Sequence, residues 1–354
     1  MSIARGLFCC LPNPHVTDIE SGHSYKSMCL TFRPYRDGMA DYEISAEIEA
    51  TLLPKFSHRA AEWYQLDQVR PSYAKYARWI VELDGQTIGH CAYEQNPGHY
   101  HPHKFKLRGS LLPAYQGRGF GKQILTHLET ALTEYDPISL QTGCTEQHPR
   151  SIRFLTERNF VEVHRAWQSV LDPSTVNLAN WQTHFTRIAE QGIVIKTMDE
   201  VEALSPNAMR EIYDLTNELD EDIPNIDPPT KIPYDHWLEQ INNAPNLDRK
   251  AHFFAMDGDA LVGYSGLWKN ANSMEYRIGL TGVRRAYRKC GIATALKLET
   301  IRFAQRVDAT RIRTWNASNN HGILIINEQL GFERLPAWID FVKTIRNEAK
   351  NETA

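Results

Sequence analysis

The stretch QGRGFG at residues 116–121 follows a short apolar run and precedes residues with apolar side chains at helical spacing. A second stretch, RKCGIA at residues 288–293, stands in the same setting later in the chain. Both predict a strand, a glycine-containing turn and a helix start. The first N–H groups of a helix have no intrahelical partner, and the helix dipole favours negative charge there. Each loop is therefore a candidate pyrophosphate site.

The two loops belong to a longer internal repeat. LLPAYQGRGFGKQIL (111–125) aligns with VRRAYRKCGIATALK (283–297) at an offset of 172 residues. Upstream, WIVELDGQTIGHCAY (79–93) and FFAMDGDALVGYSGL (253–267) each read as strand, Asp-Gly turn and strand, which is typical of a β-hairpin. Because separated anchors keep nearly the same register, we interpret the chain as a duplicated domain.

Length and composition agree with two domains. The chain has 354 residues, 42% of them hydrophobic and 23% charged, which suits two water-soluble globular cores. We predict an N-terminal extension at 1–28, an N-terminal domain at 29–170, a connector at 171–190 and a C-terminal domain at 191–354.

Several classes of protein are not favoured by the sequence. No run approaches the roughly 20 apolar residues of a transmembrane helix, and the start lacks a secretory signal, so a cytoplasmic location is expected. The net charge of −4 gives no overall reason to expect a nucleic-acid partner. The six cysteines show no CxxC spacing, so no metal is expected. A metal site at His99, His101 and His103 is a minor alternative, as is a nucleophilic Cys290.

Both loops match the pattern Q/R-x-x-G-x-G/A, so the chain resembles the GCN5-related N-acetyltransferase (GNAT) superfamily. It looks like the tandem members of that superfamily, mycothiol synthase among them, over residues 29–170 and 191–345. The resemblance implies an α/β (α+β) class with two tandem GNAT folds. Each would be a mixed, mostly antiparallel sheet with splayed central strands, flanked by helices. It also implies acetyl-CoA as co-substrate, held between the splayed strands with its pyrophosphate on the loop.

The resemblance also assigns residues to the binding of acetyl-CoA. Leu111 and Val283 would end the splayed strands, where the family uses backbone N–H groups to hold the thioester carbonyl and pantetheine. Asn320 occupies the place of a frequent cofactor-binding Asn. The loop ligands would be Gln116, Arg118, Gly119 and Gly121 in the first copy, and Arg288, Cys290, Gly291 and Ala293 in the second. With both loops intact, two CoA sites per chain are expected.

The catalytic residues are predicted less directly. Asn327 stands where the family often has a Tyr that protonates the departing thiolate, and Leu155 stands there in the first copy. An attacking amine must lose a proton, and Glu275, eight residues before Val283, is the candidate base. The alternative for Glu275 is an ordinary surface glutamate. The first copy departs further from the family pattern, which makes the C-terminal copy the preferred catalytic unit.

The expected function is direct transfer of an acetyl group from acetyl-CoA to an amine. A non-catalytic acyl-CoA-binding or scaffolding protein stays open as an alternative, as does a purely structural N-terminal copy. The acidic stretch 218–227 belongs to a segment whose prolines argue against a continuous helix, so it is interpreted as a loop, and its carboxylates favour a cationic acceptor such as a polyamine or aminoglycoside. The chain is expected to be a monomer with an internal pseudo-dimer, or a homodimer.

Overall fold

The computed structural model describes residues 8–9, 30–52, 60–270 and 273–347. The chain divides into two compact units. Among the described residues, those up to 165 together with 338–347 form the N-terminal unit, and those between 166 and 337 form the C-terminal unit. Within the described ranges, no helix is long and apolar enough to cross a membrane.

A common core of helices and strands recurs in the same order in the two halves of the chain, with additional elements in each half. The first half contains β1 (Phe8–Cys9), β2 (Thr31–Pro34), α1 (Ala40–Leu52), α2 (Ala60–Gln68), β3 (Tyr76–Leu83), β4 (Gln86–Glu94), β5 (Lys104–Leu111), α3 (Phe120–Ala131), β6 (Ser139–Thr145), α4 (Pro149–Thr156) and β7 (Val161–Leu171). The second contains α5 (Gln182–Glu190), β8 (Ile193–Thr197), α6 (Met198–Glu202), α7 (Ala208–Glu221), α8 (Tyr234–Asn242), β9 (Leu247–Asp257), β10 (Ala260–Lys269), β11 (Glu275–Val283), α9 (Ile292–Arg306), β12 (Arg311–Ala317), α10 (His321–Gln329), β13 (Glu333–Arg334) and β14 (Trp338–Thr344).

Each unit is a mixed, mainly antiparallel sheet flanked by helices, which confirms the predicted fold class. In the N-terminal unit the strand order is β2-β3-β4-β5-β6-β14, and only β5 and β6 are parallel neighbours along it. In the C-terminal unit the order is β8-β9-β10-β11-β12-β7, and only β11 and β12 are parallel. The two predicted Asp-Gly hairpins are β3-β4 and β9-β10.

The parallel pairs are short and then part. β5 pairs with β6 only along Lys104–Lys106, and β11 pairs with β12 only along Glu275–Arg277. Beyond those residues the two strands of each pair no longer bond to each other, and each pair leads to a glycine loop and a helix start. The geometry therefore places each loop at the open end of a splayed strand pair.

The last strand of each sheet comes from the other half of the chain. Residues 166–171 of β7 pair with β12 in the C-terminal unit, whereas β14 pairs with β6 in the N-terminal unit. The predicted contiguous domains, 29–170 and 191–354, differ from the compact units in this exchange.

Only residues 218–221 of the predicted acidic loop are helical, whereas residues 222–227 lie outside the helix, so the loop begins later than the sequence-based interpretation placed it. Helix α7 continues to Glu221, with Ile212, Leu215 and Leu219 buried at helical spacing against the core. The prolines begin only at Pro224, after the helix has ended, so they do not interrupt it. Packing of the apolar stripe extends the helix through Glu218, Asp220 and Glu221, and Asp222 and Asp227 follow it.

Candidate functional site

The C-terminal loop has the backbone of an anion site. A 3₁₀ turn at Arg285–Tyr287 follows β11, and Gly291 precedes α9 with φ of 91°, a left-handed conformation that suits glycine. A Cβ at Gly291 would meet no atom within 4 Å, so the glycine is required by conformation and the space in front of it is open. The N-terminal loop repeats this arrangement at Gly119, where φ is 86°.

Several predicted loop ligands also hold the loops in place. The Gln116 side-chain amide donates to the carbonyl of Leu111 at 2.7 Å, and Arg288 Nε donates to the carbonyl of Val283 at 3.0 Å. The same internal contact therefore recurs in both copies. A Cβ at Gly121 would lie 3.3 Å from the Phe154 ring, so that glycine lets α3 pack closely. Arg118 lies over the Tyr115 ring, Cys290 Sγ lies 3.5 Å from the Arg288 carbonyl oxygen, and Ala293 packs against the core.

The basic residues of the C-terminal loop are paired with acids at the end of α7. Arg284 contacts Glu218 at 3.0 Å, and Asp222 accepts hydrogen bonds from both Arg285 and Arg288. The bond from Arg285, with help from Arg288, holds the pKa of the Asp222 carboxyl below its ordinary value. A bound phosphate would compete with Asp222 for the same guanidinium groups. The acidic stretch is thus largely neutralised from within.

Strand β11 carries a β-bulge in its splayed half. Leu267 pairs with Ile278 and Ser265 pairs with Thr281, so two residues of β11 oppose one residue of β10. Bulges redirect backbone groups and recur beside active sites. Gly279 is exposed in this segment, and residues 280–282 are half-buried. Among the described strands, none pairs with the β12-facing edge of β11 beyond Arg277.

The corresponding segment of the N-terminal unit is regular and already paired. β5 pairs with β4 without a register shift, and residues 108–111 are buried. Strand β1 pairs in parallel with Gly109 and Ser110. Because β4 occupies the other edge of these residues, β1 must lie on the edge that faces β6, and it lies against β6 as well. The backbone that would hold a pantetheine in this unit is hydrogen-bonded to the chain's own N-terminal segment.

A buried His–Tyr pair lies on the face of the C-terminal sheet that α7 covers, here called the α7 face. His252 Nδ1 and the Tyr264 hydroxyl are 2.7 Å apart, and both side chains are buried. Burial lowers the pKa of His252 to about 4, so its imidazole is neutral at pH 7. Burial raises the pKa of Tyr264. A Cβ at Gly266 would lie 2.2 Å from the Tyr264 oxygen, so this glycine makes room for the pair.

The matching face of the N-terminal sheet, covered by α1 and here called the α1 face, holds an ion network. Arg78 contacts Asp67 at 2.5 Å and Arg108 contacts Glu94 at 2.8 Å, all with buried side chains. Burial alone would raise the pKa of Glu94, but Arg108, Arg78 and Arg70 outweigh it and lower the pKa. Charges on this face therefore neutralise one another.

The predicted catalytic residues do not lie together at the loop. Glu275 begins β11, eight residues and about 26 Å along the strand from Val283. The hydrogen bond from Arg313, 2.9 Å away, lowers the pKa of Glu275. Asn327 is buried and donates to Asn316 Oδ1 at 2.7 Å, while its own Oδ1 has no hydrogen-bond partner among the described residues. Asn320 is the N-cap residue of α10, without a side-chain cap.

The three alternating histidines make local contacts. His101 Nδ1 accepts a hydrogen bond from the His103 backbone N–H at 3.1 Å, and His103 Nδ1 lies 3.0 Å from the Tyr135 carbonyl oxygen. No group of three or more His, Cys, Asp or Glu side chains in the described ranges is placed to hold a metal ion.

A comparison with family models identifies the family of the chain. The model of the acetyltransferase (GNAT) family matches residues 44–160 and 209–332, so the chain belongs to that family and contains two copies of its fold. No curated protein sequence matches the chain.

Two solved structures resemble the fold of this chain over nearly their whole length. A GCN5-related N-acetyltransferase from Sphaerobacter thermophilus is 17% identical, with a TM-score of 0.67 over 92% of this chain and 98% of the other. A tandem GNAT protein from the clavulanic acid biosynthesis pathway, solved without AcCoA, is 16% identical. Its TM-score is 0.65 over 90% of this chain and 100% of the other. At such identities the likeness concerns the fold, and the resemblance to mycothiol synthase stays an expectation.

Proposed function

We propose that this acyltransferase moves an acetyl group from acetyl-CoA directly to an amine, and that the C-terminal unit carries the reaction. The observation that supports this most is the bulged, unpaired edge of β11 beside the open N-terminus of α9. A thioester needs backbone N–H groups for its carbonyl and pantetheine, and a pyrophosphate needs a helix start. Both lie next to each other in this unit.

The residues of the C-terminal unit fit that substrate. The first N–H groups of α9, behind Gly291, would hold the pyrophosphate, with Cys290 and Ala293 lining the turn. Arg285 and Arg288 would release their hydrogen bonds to Asp222 and donate to phosphate oxygens instead. Residues 279–283 of β11 would offer backbone groups to the pantetheine and acyl carbonyl, with Asn320 on the facing side of the gap.

The proton of the amine requires an acceptor on the α7 face. The amine nitrogen attacks the acetyl carbonyl carbon, the C–S bond breaks and the amine loses a proton. The His252 imidazole, neutral and hydrogen-bonded to Tyr264, is our candidate for that proton. Glu275 is the rival from the sequence, although its carboxylate is bound by Arg313. Asn327 can donate a hydrogen bond but has no titratable proton, and a thiolate with a pKa of about 8.5 needs little assistance to leave.

The N-terminal unit is proposed to be structural. Its loop keeps Gln116, Arg118, Gly119 and Gly121, yet β1 holds the edge of β5 that acetyl-CoA would need. The cytoplasm is the proposed location of the whole protein. The competing candidate is a protein that binds acyl-CoA without catalysis.

A matched pair of glycine variants tests the proposal. Gly291→Glu places bulk and negative charge at the start of α9, and Gly119→Glu makes the same change at the start of α3. CoA affinity, measured by titration calorimetry, should fall at least about 100-fold in Gly291→Glu because phosphate and carboxylate repel each other there. Gly119→Glu should keep the affinity of the original chain.

Turnover separates the two candidate functions. With acetyl-CoA and a panel of amines, free thiol should be released by the original chain and by Gly119→Glu, but not by Gly291→Glu. CoA binding without thiol release for any amine would favour the non-catalytic candidate. Loss of binding in Gly119→Glu alone would move the site to the N-terminal unit.

A further inference from the structure

Arg277 lies where β11 and β12 separate. It is the last residue of β11 paired with β12, opposite Arg313, and it pairs with Trp268 on β10. Its neighbours Tyr276 and Ile278 point into the core under α9, so Arg277 points to the α7 face. Its guanidinium is therefore on the same face as the His252–Tyr264 pair, two residues before the bulge.

Within the described part of the chain, this arginine has no counter-ion. It forms no hydrogen bond or ion pair with another described residue, and burial lowers its pKa. The one carboxylate beside it in the strand, Glu275, is bound by Arg313 and Arg311. The place where β11 and β12 separate is here called the fork. Its side chains include the guanidinium groups of Arg277, Arg311 and Arg313 and the carboxylate of Glu275. A partly desolvated cation costs free energy unless a negative group pairs with it.

The N-terminal unit shows what is missing. At the same register beside the fork, Lys106 pairs across the sheet with Glu94, whose buried carboxylate is surrounded by three arginines. In the C-terminal unit Trp268 stands in the place of Glu94. The cation is kept at this position but the internal carboxylate is not.

We infer that Arg277 binds a carboxylate of the acceptor, so that the acceptor is a small amine that also carries a carboxylate. This inference rests on the proposed function of the C-terminal unit. Two residues of strand separate Arg277 from the bulge, about 7 Å, which suits a small amino carboxylate with its amine at the thioester and its carboxylate at the guanidinium. A planar guanidinium forms two parallel hydrogen bonds with such a group.

The acidic end of α7 does not contradict this acceptor class. Glu218 and Asp222 are paired with arginines of the loop, and Glu221 contacts Lys231 at 2.8 Å. Their charge is therefore largely compensated, and the pull on a cationic acceptor is weaker than the sequence suggests. The polyamine class becomes the competing outcome of the test.

The experiment compares amines that differ in one group. ω-Amino carboxylates, amino alcohols, diamines and aminoalkyl phosphonates of equal chain length, together with α-amino acids, are offered to the full chain with acetyl-CoA, and thiol release is followed. An amino carboxylate should give the highest kcat/KM. Arg277→Met should raise its KM by about 10- to 100-fold and leave the KM of the amino alcohol unchanged. Arg311→Gln, an exposed arginine of the same fork, serves as the matched control and should change neither KM appreciably.

A binding measurement accompanies the kinetics. Calorimetric titration of the best amino carboxylate into the chain saturated with CoA should lose its signal in Arg277→Met, while CoA affinity stays unchanged and the unfolding midpoint does not fall, because the lost cation has no paired charge. A diamine or a phosphonate as the best acceptor would overturn the assignment of a carboxylate to Arg277. So would a KM change in Arg277→Met that is equal for the amino carboxylate and the amino alcohol. Absence of thiol release with every amine would instead refute the proposed function.

Discussion

The α7 face and the α1 face have the same backbone frame and opposite chemistry. Where the N-terminal unit has Arg78, the matching register of the C-terminal unit has His252, and where it has Glu94 there is Trp268. One face is a closed network of buried ion pairs, and the other is a neutral His–Tyr pair next to an arginine without a counter-ion. The two glycine loops thus have similar backbone geometry, whereas the sheet faces beside them carry different chemical groups.

The difference suggests separate roles for the two copies: the α1 face stabilises its unit, and the α7 face supplies the proposed site. Removing one member of a buried ion pair typically costs about 3–5 kcal/mol, because the remaining charge is left unpaired. The α1 face is therefore constrained by its own network. On the α7 face, His252 is neutral and forms no ion pair with a described residue, so taking up a proton there would not break an existing pair of buried charges.

The largest effect that would sharpen this comparison is expected at His252. His252→Gln keeps a polar group beside Tyr264 but removes the basic nitrogen, so kcat should fall about 10²- to 10⁴-fold with CoA affinity little changed. Since the pKa of His252 is about 4, its imidazole stays neutral across pH 5–8, and this group should cause no loss of kcat in that range. Steady-state thiol release between pH 5 and 9 measures both quantities.

The rival base provides the counter-experiment. Glu275→Gln should lower kcat far less than His252→Gln, because Glu275 lies at the far end of β11 and its carboxylate is bound by Arg313. If the two variants exchange these results, Glu275 is the base and the α7 face loses its proposed role.

A second comparison concerns the central helices, where Lys297 of α9 matches Leu125 of α3. Lys297 is fully buried, its Nζ has no hydrogen-bond partner among the described residues, and this nitrogen lies 4.9 Å from the centre of the Phe332 ring. Burial lowers its pKa to about 7 from 10.5. Lys297→Leu should therefore raise the free energy of unfolding at pH 7 by about 3–5 kcal/mol, at about 1.4 kcal/mol per pKa unit.

The sign of the pH dependence gives the control. Below pH 7 the buried amine is charged in both folded and unfolded chains, and the folded chain bears the full cost. As the pH rises from about 7 to 10.5, that cost disappears and stability rises. Urea unfolding of the original chain should show this gain relative to Lys297→Leu. Parallel curves for the two chains over that range would mean that the amine is solvated or paired.

The smallest expected effect concerns β1. Deleting residues 1–9 frees the edge of Gly109 and Ser110 in the N-terminal unit. Calorimetry should then show a second, weaker CoA site, whereas the complete chain should show about one. Because β5 has no bulge, the new site should not support thiol release. Two equal sites in the complete chain would show that β1 does not compete with CoA.

The sequence predicted the repeat, both loops, the hairpins and the central helices, because these depend on local glycine chemistry and on apolar periodicity. It did not predict the pairing of β14 with β6, because alternation along a strand does not specify its neighbour. The sequence-based interpretation ended α7 too early. Burial of Leu219 favours the helix up to Glu221 despite the prolines that follow. Arg277 and His252 could have been found by aligning the two copies strand by strand. In that alignment Trp268 takes the position of Glu94.

The exchange of β7 and β14 has a consequence for the origin of the chain. Before duplication, a single-copy ancestor with the same sheet would have had to lend its last strand to an identical molecule and receive one in return, as in domain-swapped homodimers. Fusion of two genes then made the exchange intramolecular. Mutations could thereafter accumulate in one copy alone, without reappearing in its partner. A polypeptide cut within the connector should still assemble from its two pieces, because neither piece contains a complete sheet of its own.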